Sequence, residues 1–345
     1  MNPQQLLFRA AGPGDLDAFE RIAKASATGI TTLPADRNIL LDKLTRSAQA
    51  FASADDGSGE EIYLFVVEDL EAGRVIGTSG IAASAGFADR FYSYRNEMIV
   101  HASAALGASN RIHTLHLCHD LTGFTLLTSF YIEPGYENTL APQLLSRARL
   151  LFLAEFSERF SDRIAAESPG LSDDSGRCPF WDAVGRRFFD MDYPQIERIT
   201  GGRNKAFIAE LMPQSPIYVP LLPEAAQWAI GQLHPVGELP FSILLDEGFD
   251  TETYVDIFDG GPTVEGRVAM LKTVNRSRRR AAVGQANSEG PWHLVCNTER
   301  PRFAALLRTA SPGAEPLNLD AAAIQQLGWQ PGLPLRAAEL DGVLA

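Results

Sequence analysis

The chain has 345 residues, of which 45% are apolar, and its formal net charge at pH 7 is −13. This length predicts two domains, or one large domain with an appendix, and the apolar share is enough for a substantial core. The acidic balance argues against binding to nucleic acids or anionic membranes, which requires a basic face, and is compatible with a cationic small substrate.

The three cysteines, Cys118, Cys178 and Cys296, are far apart in the sequence. Their odd number and wide spacing argue against a disulfide framework and favour a reducing compartment. The N-terminus lacks the basic segment and apolar core of a secretory signal. No stretch approaches the roughly 18 apolar residues that indicate a membrane-spanning helix. We therefore expect a cytoplasmic location.

The apolar and polar residues of the first 213 positions form runs that predict a mixed α/β (α+β) succession of strands and helices. Gly and Pro mark the breaks between these runs. In chain order, the predicted elements are a strand at 6–10, helices at 15–27 and 36–51, a strand hairpin at 62–68 and 75–85, an aromatic- and histidine-rich segment at 86–122, a strand at 127–133, a helix at 141–156, a strand at 163–167, a helix at 180–189 and a strand at 205–212.

The pattern changes beyond residue 213, so we predict a domain at 1–213 and a C-terminal domain at 214–345. The part of the second domain that ends at about 265 is predicted to contain helices at 223–233 and 241–250 and a strand at 254–258. After it, short strands alternate with Pro and Gly turns. These last strands predict a small β-barrel appendix. The segments 179–185 and 240–248 share an aromatic pattern, for which a partial duplication and chance similarity both stay open.

Several motifs, in one order along the chain, resemble the arginine N-succinyltransferase family. They are FYSYR at 91–95, VHAS at 100–103, DLTG at 120–123, PFW at 179–181, AELMP at 209–213, GQLHP at 231–235 and YVDIFDGGP at 254–262. The resemblance covers nearly the whole chain and weakens after about residue 265. The order of the predicted elements also resembles the GNAT acyltransferase fold, with one insertion between the third and fourth strands. A GNAT-type fold with a C-terminal extension is therefore expected.

The resemblance implies transfer of a succinyl group from succinyl-CoA to the α-amino group of arginine, with ornithine as a second substrate, in arginine catabolism. It implies succinyl-CoA as a co-substrate and no permanently bound cofactor. Some members of the family consist of two homologous chains, alpha and beta. The motif LLTSFY at 126–131, preceded by His119 and Asp120, is similar to the alpha chain, although Leu126 stands where the family usually has glutamate. An alpha-type subunit with a homologous beta-type chain, or a homo-oligomer, is expected.

Direct amide formation requires a bound thioester, a neutral amine, a polarised carbonyl and an acid for the leaving thiolate. The strand at 127–133 is the segment against which the thioester is expected to lie. Within it, Phe130 aligns with the family's succinyl-CoA-contacting position, and Ser129 and Tyr131 lie on either side. A strand in the core is the alternative interpretation of the same apolar pattern, and the two are compatible.

His234 aligns with the family's proposed general acid, and a histidine titrates near neutral pH. The alternative is a structural histidine at a helix end. Together with Tyr94, Arg95 is a candidate to hold the succinyl carboxylate through two parallel hydrogen bonds. A structural ion pair is the alternative for Arg95. Glu167, like Glu97, is a candidate for binding the substrate's guanidinium group, and a structural acid is the alternative for each.

The loop at 137–142 departs from the family's usual form, a basic residue followed by two glycines. Glu137 is anionic, and Pro142 has no N–H to donate to a diphosphate. Arg147 and Arg149 are expected to lie too far along the following helix to help. We therefore expect poor coenzyme A binding by this loop. The alternative function is a non-catalytic structural or regulatory partner of a homologous catalytic chain.

His113, His116 and His119 recur at every third position, which would align them on a helix. Residues 112–118 instead predict a strand, in which every third residue changes face. No further cysteine or histidine completes a ligand set, so no metal site is expected.

Overall fold

The computed structural model describes residues 2–26, 33–55, 57–88, 90–173, 175–200, 210–286, 289–311, 313 and 315–340. The strands are β1 Leu6–Ala10, β2 Ile62–Asp69, β3 Arg74–Ala82, β4 Ser93–Ser103, β5 Ala108–Cys118, β6 Thr125–Ile132, β7 Arg163–Glu167, β8 Ile217–Tyr218, β9 Asp250–Val255, β10 Pro262–Arg267, β11 Arg278–Arg280, β12 Ala282–Gly284, β13 Trp292–Cys296, β14 Ala304–Thr309, β15 Leu317–Leu319 and β16 Leu335–Glu339. The α-helices are α1 Leu16–Ala25, α2 Arg37–Ala52, α3 Ala141–Glu155, α4 Pro179–Ala183, α5 Arg186–Phe189, α6 Tyr193–Thr200, α7 Glu224–Ala229, α8 Glu238–Glu247, α9 Lys272–Arg276 and α10 Ala321–Leu327.

Among the described residues, fourteen strands form one mixed sheet in the order β11-β16-β13-β14-β1-β2-β3-β6-β7-β10-β9-β4-β5-β8. A separate parallel pair joins β12 and β15. The ladders of the large sheet are antiparallel except for the one between β6 and β7. The part of the chain that the structure describes contains no helix long and apolar enough to cross a membrane.

The location of β2 between two apolar clusters explains why its sequence is an almost continuous apolar run. Tyr63 and Phe65 belong to the cluster around α3, whereas Leu64 and Val66 belong to the cluster under α1 and α2. Successive side chains of a strand point to opposite faces. Because helices cover both faces of β2, every side chain in its centre is buried.

Helix α3 lies in the main core and is buried around nearly its whole circumference. Its Phe152 packs against Phe65 of β2 and Phe303, which precedes β14. Its last residue, Glu155, is buried and forms ion pairs with Arg279 (Nη2–Oε1, 2.6 Å) and Arg336 (Nε–Oε2, 2.8 Å). Helix α3 is therefore fastened to strands from both ends of the chain.

The predicted hairpin is confirmed as β2 and β3, and the helix at 141–156 and the strand at 163–167 are confirmed within one residue. The helix predicted from residue 36 is confirmed as α2, which Asp36 caps, since its carboxylate accepts from the N–H groups of Asn38 and Ile39. The aromatic- and histidine-rich segment forms the long hairpin of β4 and β5. The strand predicted at 205–212 lies mostly outside the described residues.

Several predicted elements have different bounds, including the helices predicted at 223–233 and 241–250, which are Glu224–Ala229 and Glu238–Glu247. The helix at 180–189 is divided into α4 and α5 near Gly185, where a Cβ atom would lie 2.2 Å from the Trp181 ring. Glycine permits that close approach. The strand at 254–258 begins earlier and ends at Val255. The carboxylate of Asp256 accepts from the N–H groups of Phe258 (2.6 Å) and Asp259 (3.3 Å), which turns the chain.

The prediction of a small β-barrel at the C-terminus is wrong. Strand β14 pairs with β1, so that β13, β14, β16 and β11 extend the large sheet. Leu7 of β1 lies opposite Leu306 of β14 in this ladder. Short apolar strands predict pairing but do not specify the partner. Strands from both sides of residue 213 thus belong to one sheet, and the division into two domains stays a prediction.

Candidate active site

The parallel strands β6 and β7 separate soon after they meet. Their ladder comprises Thr125 opposite Ile164 and Leu126 opposite Ala165. Farther along, β6 continues to pair with β3, and β7 continues to pair with β10. The facing edges of β6 and β7 therefore leave a gap lined by backbone groups, to which an extended ligand can add as a further strand.

A bulge in β6 lies at this gap. Gly80 of β3 is opposite Thr128, whereas Thr78 is opposite Tyr131, so β6 has one extra residue between the two pairs. Ser129 within the bulge has a φ of 56°, in the left-handed region that is uncommon for serine. The buried hydroxyl of Thr78 donates to the carbonyl oxygen of Ser129 (3.1 Å). Bulges of this kind change the direction of side chains next to active sites.

A cavity of about 130 Å³ fills the gap. Ser129 and Phe130 line it from β6, and Glu167 lines it from the end of β7. Helix α3 contributes Arg149, and α6 contributes Glu197. The site thus combines apolar, cationic and anionic side chains in a small volume, which is typical of pockets that orient a charged small molecule.

Two further carboxylates of the cavity have structural partners. Asp259 accepts from the N–H groups of Gly170 and Gly261 (2.8 Å each) and from the hydroxyl of Tyr193 (3.3 Å). Burial, together with the charge of Asp259, raises the pKa of Tyr193 well above its usual value, so its hydroxyl stays protonated and donates. Asp256 accepts from backbone N–H groups of its own turn. Glu167 and Glu197 are the other two acids that line the cavity.

Arg149 is 2% exposed, and its guanidinium carbon lies 5.7 Å from the centroid of the Phe130 ring. Its Nε donates to the carbonyl of Ser146 (3.2 Å), and its Nη2 donates to the Ser146 hydroxyl (3.1 Å). Burial lowers the pKa of Arg149 to about 9, so the guanidinium is still cationic at pH 7. Its distance along the sequence predicts that Arg149 is too far from the loop at 137–142 to help bind a diphosphate, whereas the structure places it in the cavity lining. The signal for this role in the sequence is an arginine within an apolar helical segment.

His234 is held beside the cavity by the loop that follows β7. The backbone N–H of His234 donates to the carbonyl of Pro169 (2.8 Å), and the ring atom Nδ1 accepts from the backbone N–H of Val236 (3.3 Å). Because Nδ1 accepts, the neutral ring carries its proton on Nε2. Val236 and Gly237 line the cavity. His234 therefore lies just before residues that line the cavity, and its role as a proton donor stays a prediction.

Residues 6–273 match the family model described as "Arginine N-succinyltransferase beta subunit". The chain belongs to the arginine N-succinyltransferase family. It is 45% identical to the arginine N-succinyltransferase subunit alpha of Pseudomonas aeruginosa, over 98% of this chain and 96% of that protein, and 38% identical to subunit beta of the same organism, over 97% and 98%. The solved structure of arginine/ornithine succinyltransferase subunit AI from Pseudomonas aeruginosa has a TM-score of 0.89 and 42% identity, and the match covers 97% of this chain and 99% of that one. These findings confirm the predicted family and its GNAT-type mixed α/β fold.

The residues that the family resemblance assigned to the thioester fall into two groups. Ser129 and Phe130 line the cavity. Tyr131 is not among the lining residues and packs instead against the apolar cluster under α1 and α2. Because side chains alternate along a strand, Tyr131 lies on the other face of β6 from Phe130. A contact with the thioester stays a prediction for all three.

Arg95 and Tyr94 are not among the residues that line the cavity. The Arg95 guanidinium forms ion pairs with Glu97 (Nε–Oε1, 2.6 Å) and Asp120 (Nη1–Oδ2, 2.5 Å). The Tyr94 hydroxyl is buried and has no hydrogen-bond partner in the part of the chain that the structure describes. Burial raises the pKa of Tyr94 above its usual value. Glu167 is the predicted substrate residue that the structure brings together with Ser129 and Phe130.

The loop before α3 uses its polar groups internally. The N–H of Gly135 donates to the carboxylate of Glu137 (2.9 Å), and the N–H of Ala141 donates to the Thr139 hydroxyl (3.1 Å). Glu133 forms ion pairs with Arg21 and Arg74. Backbone N–H groups at a helix start bind phosphate when they are available to it. The weak diphosphate binding expected from the sequence is consistent with these contacts.

Proposed function

We propose that this chain transfers a succinyl group from succinyl-CoA to the α-amino group of arginine, with ornithine as a second acceptor, as an alpha-type subunit in arginine catabolism. Membership of the arginine N-succinyltransferase family supports the reaction type. The observation that carries the proposal is the cavity where β6 and β7 separate, with His234 held beside it.

The thioester lies in the gap, with its amide groups against the free edge of β6. The cationic acceptor is held by Glu167 and Glu197. The neutral α-amino group attacks the thioester carbonyl, so that a C–N bond forms as the C–S bond breaks. The nitrogen loses a proton to solvent. Nε2 of His234 donates its hydrogen to the leaving thiolate and takes up a proton from solvent, so that the ring returns to its neutral form. No covalent intermediate with the protein is needed.

A homologous beta-type chain is the proposed partner, and a homo-oligomer is the alternative. The names of the relatives include an alpha and a beta subunit in the same organism. The loop before α3 favours an assembly because Glu137 and Thr139 occupy the N–H groups that a diphosphate would need. The same loop favours the second candidate function, a non-catalytic partner of a homologous catalytic chain. The cytoplasmic location stays a prediction.

The test is an arginine succinylation assay on the purified chain, alone and with the homologous beta-type chain. Wild-type chain and the His234→Ala variant are compared in both settings, with Glu224→Ala, a change at an exposed position of α7, as the control. Loss of most of the activity in the assembly containing His234→Ala supports catalysis by this chain. Unchanged activity in that assembly supports the non-catalytic role. If neither setting succinylates arginine or ornithine, the proposed reaction is wrong.

A further inference from the structure

Arg149 is a buried cation without an anionic partner. Among the described residues, no carboxylate lies within ion-pair distance of its guanidinium, and Nη1 donates to no acceptor. Burial of an unpaired charge is strongly unfavourable, because the charge loses its hydration without gaining a partner. The position therefore calls for an anion that the protein itself does not supply.

Arg147, two residues earlier on α3, shows what a structural arginine looks like in this helix. Its Nη2 pairs with Asp246 of α8 (2.5 Å), its Nη1 pairs with the buried Glu247, and its Nε donates to Gln143 (2.8 Å). All three nitrogens of that guanidinium have partners from the protein. Arg149 has the same surroundings of apolar helix but faces the cavity, where it stacks on Phe130.

The diphosphate of coenzyme A is the wrong anion for this position. A diphosphate binds at the start of a helix, and Arg149 lies eight residues beyond Ala141, which is about 12 Å along α3. The lining of the cavity also includes Glu167 and Glu197, which would repel a dianionic phosphate more strongly than a single carboxylate. A single carboxylate at the end of a short acyl chain is a smaller anion with one negative charge, and it fits this position better than a diphosphate does.

We propose, on the basis of the proposed function, that Arg149 binds the terminal carboxylate of the acyl group and so selects a dicarboxylic acyl thioester over an uncharged one. The Nη1 and Nη2 groups donate to the two carboxylate oxygens in parallel, and the Phe130 ring covers the guanidinium face.

The test is calorimetric titration of the full chain with succinyl-CoA and with butyryl-CoA, which has a methyl group in place of the terminal carboxylate. The same pair is measured as thioesters of N-acetylcysteamine, which lack the diphosphate and so do not depend on the loop before α3. We expect the wild-type chain to bind the succinyl thioester more tightly by on the order of 10- to 100-fold. Arg149→Met should abolish this preference and leave butyryl binding unchanged, and Arg149→Lys should keep part of it.

Arg147→Lys is the matched control and should leave the preference intact. Melting curves establish that each variant is folded. Equal weakening of both thioesters in Arg149→Met would show a structural role and overturn the proposal. A wild-type chain without a preference for the succinyl thioester in either pair would also overturn it. If the preference holds but arginine is not succinylated by the assembly, the proposed function fails while the assignment of Arg149 stands.

Discussion

The cavity between β6 and β7 and the loop before α3 differ in how their polar groups are used. At the cavity, Arg149 has no acidic partner among the described residues, and β6 and β7 pair with each other only at Thr125–Ile164 and Leu126–Ala165. At the loop before α3, Glu137 and Thr139 bind the backbone N–H groups of the protein itself. Under the proposed function, recognition of the acyl group and anchoring of the coenzyme diphosphate are therefore separable.

The largest expected effect concerns catalysis at the cavity. In an active assembly, His234→Ala should lower kcat by about 100- to 10,000-fold, since a general acid contributes that much to such a step. The KM for succinyl-CoA should change little, because His234 does not line the cavity. Steady-state kinetics with arginine measures both constants. A large change in KM at unchanged kcat would contradict the assignment of His234 as a proton donor.

The next effect separates the two arginines of α3 by their contribution to folding. Arg147→Met leaves the buried Glu247 without its cation and should lower the free energy of unfolding by about 3–5 kcal/mol. Arg149→Met removes an unpaired buried charge and should leave the free energy of unfolding unchanged or higher. Urea denaturation followed by circular dichroism measures both variants. If Arg149→Met were as destabilised as Arg147→Met, Arg149 would be a structural residue.

A smaller effect concerns the bulge that opens the gap. Ser129 has a φ of 56°, a conformation that a β-branched residue adopts only with strain. Ser129→Val should lower the free energy of unfolding by about 1–3 kcal/mol, and Ser129→Gly should be tolerated. Thermal denaturation of the two variants provides the measurement. Similar melting temperatures for valine and wild type would mean that the bulge is not needed for stability.

The smallest effect concerns the loop before α3. Glu137→Lys replaces an anion with a cation near the expected diphosphate position and should tighten binding of unacylated coenzyme A by roughly 3- to 10-fold. Glu224→Lys makes the same charge change on α7 and serves as the control. The two variants are compared by calorimetry at low and at physiological salt. Equal effects of both substitutions would mean that only net charge matters.

Local patterns predicted much of the fold. The alternating faces of Tyr63 and Leu64 follow from a strand with helices on both sides, and α3 follows from its long apolar run. The pairing of Leu7 with Leu306 could not be predicted, because a strand's own sequence does not specify a partner about 300 positions away. The C-terminal strands were therefore assigned to a barrel.

The candidate site was predicted only in part, because its position depends on which strands pair and where they separate. Family resemblance identified Phe130 and His234. The structure places Phe130 in the cavity lining and His234 two residues before Val236, which also lines the cavity, and the roles of both stay predictions. Arg149 could not be assigned from its distance to the start of α3, because the cavity that it lines depends on where β6 and β7 separate.

The attachment of Glu155 to Arg279 and Arg336 has a consequence for synthesis on the ribosome. When α3 emerges, neither arginine has been translated, and the edge of β1 that β14 will cover is still open. The nascent chain therefore presents a free strand edge until β14 has been made, and Glu155 lacks one of its two cations until Arg336 has been made. Unpaired strand edges invite association with other chains. A truncated product ending before Arg336 should thus be a substrate for chaperones and proteases rather than a smaller folded domain.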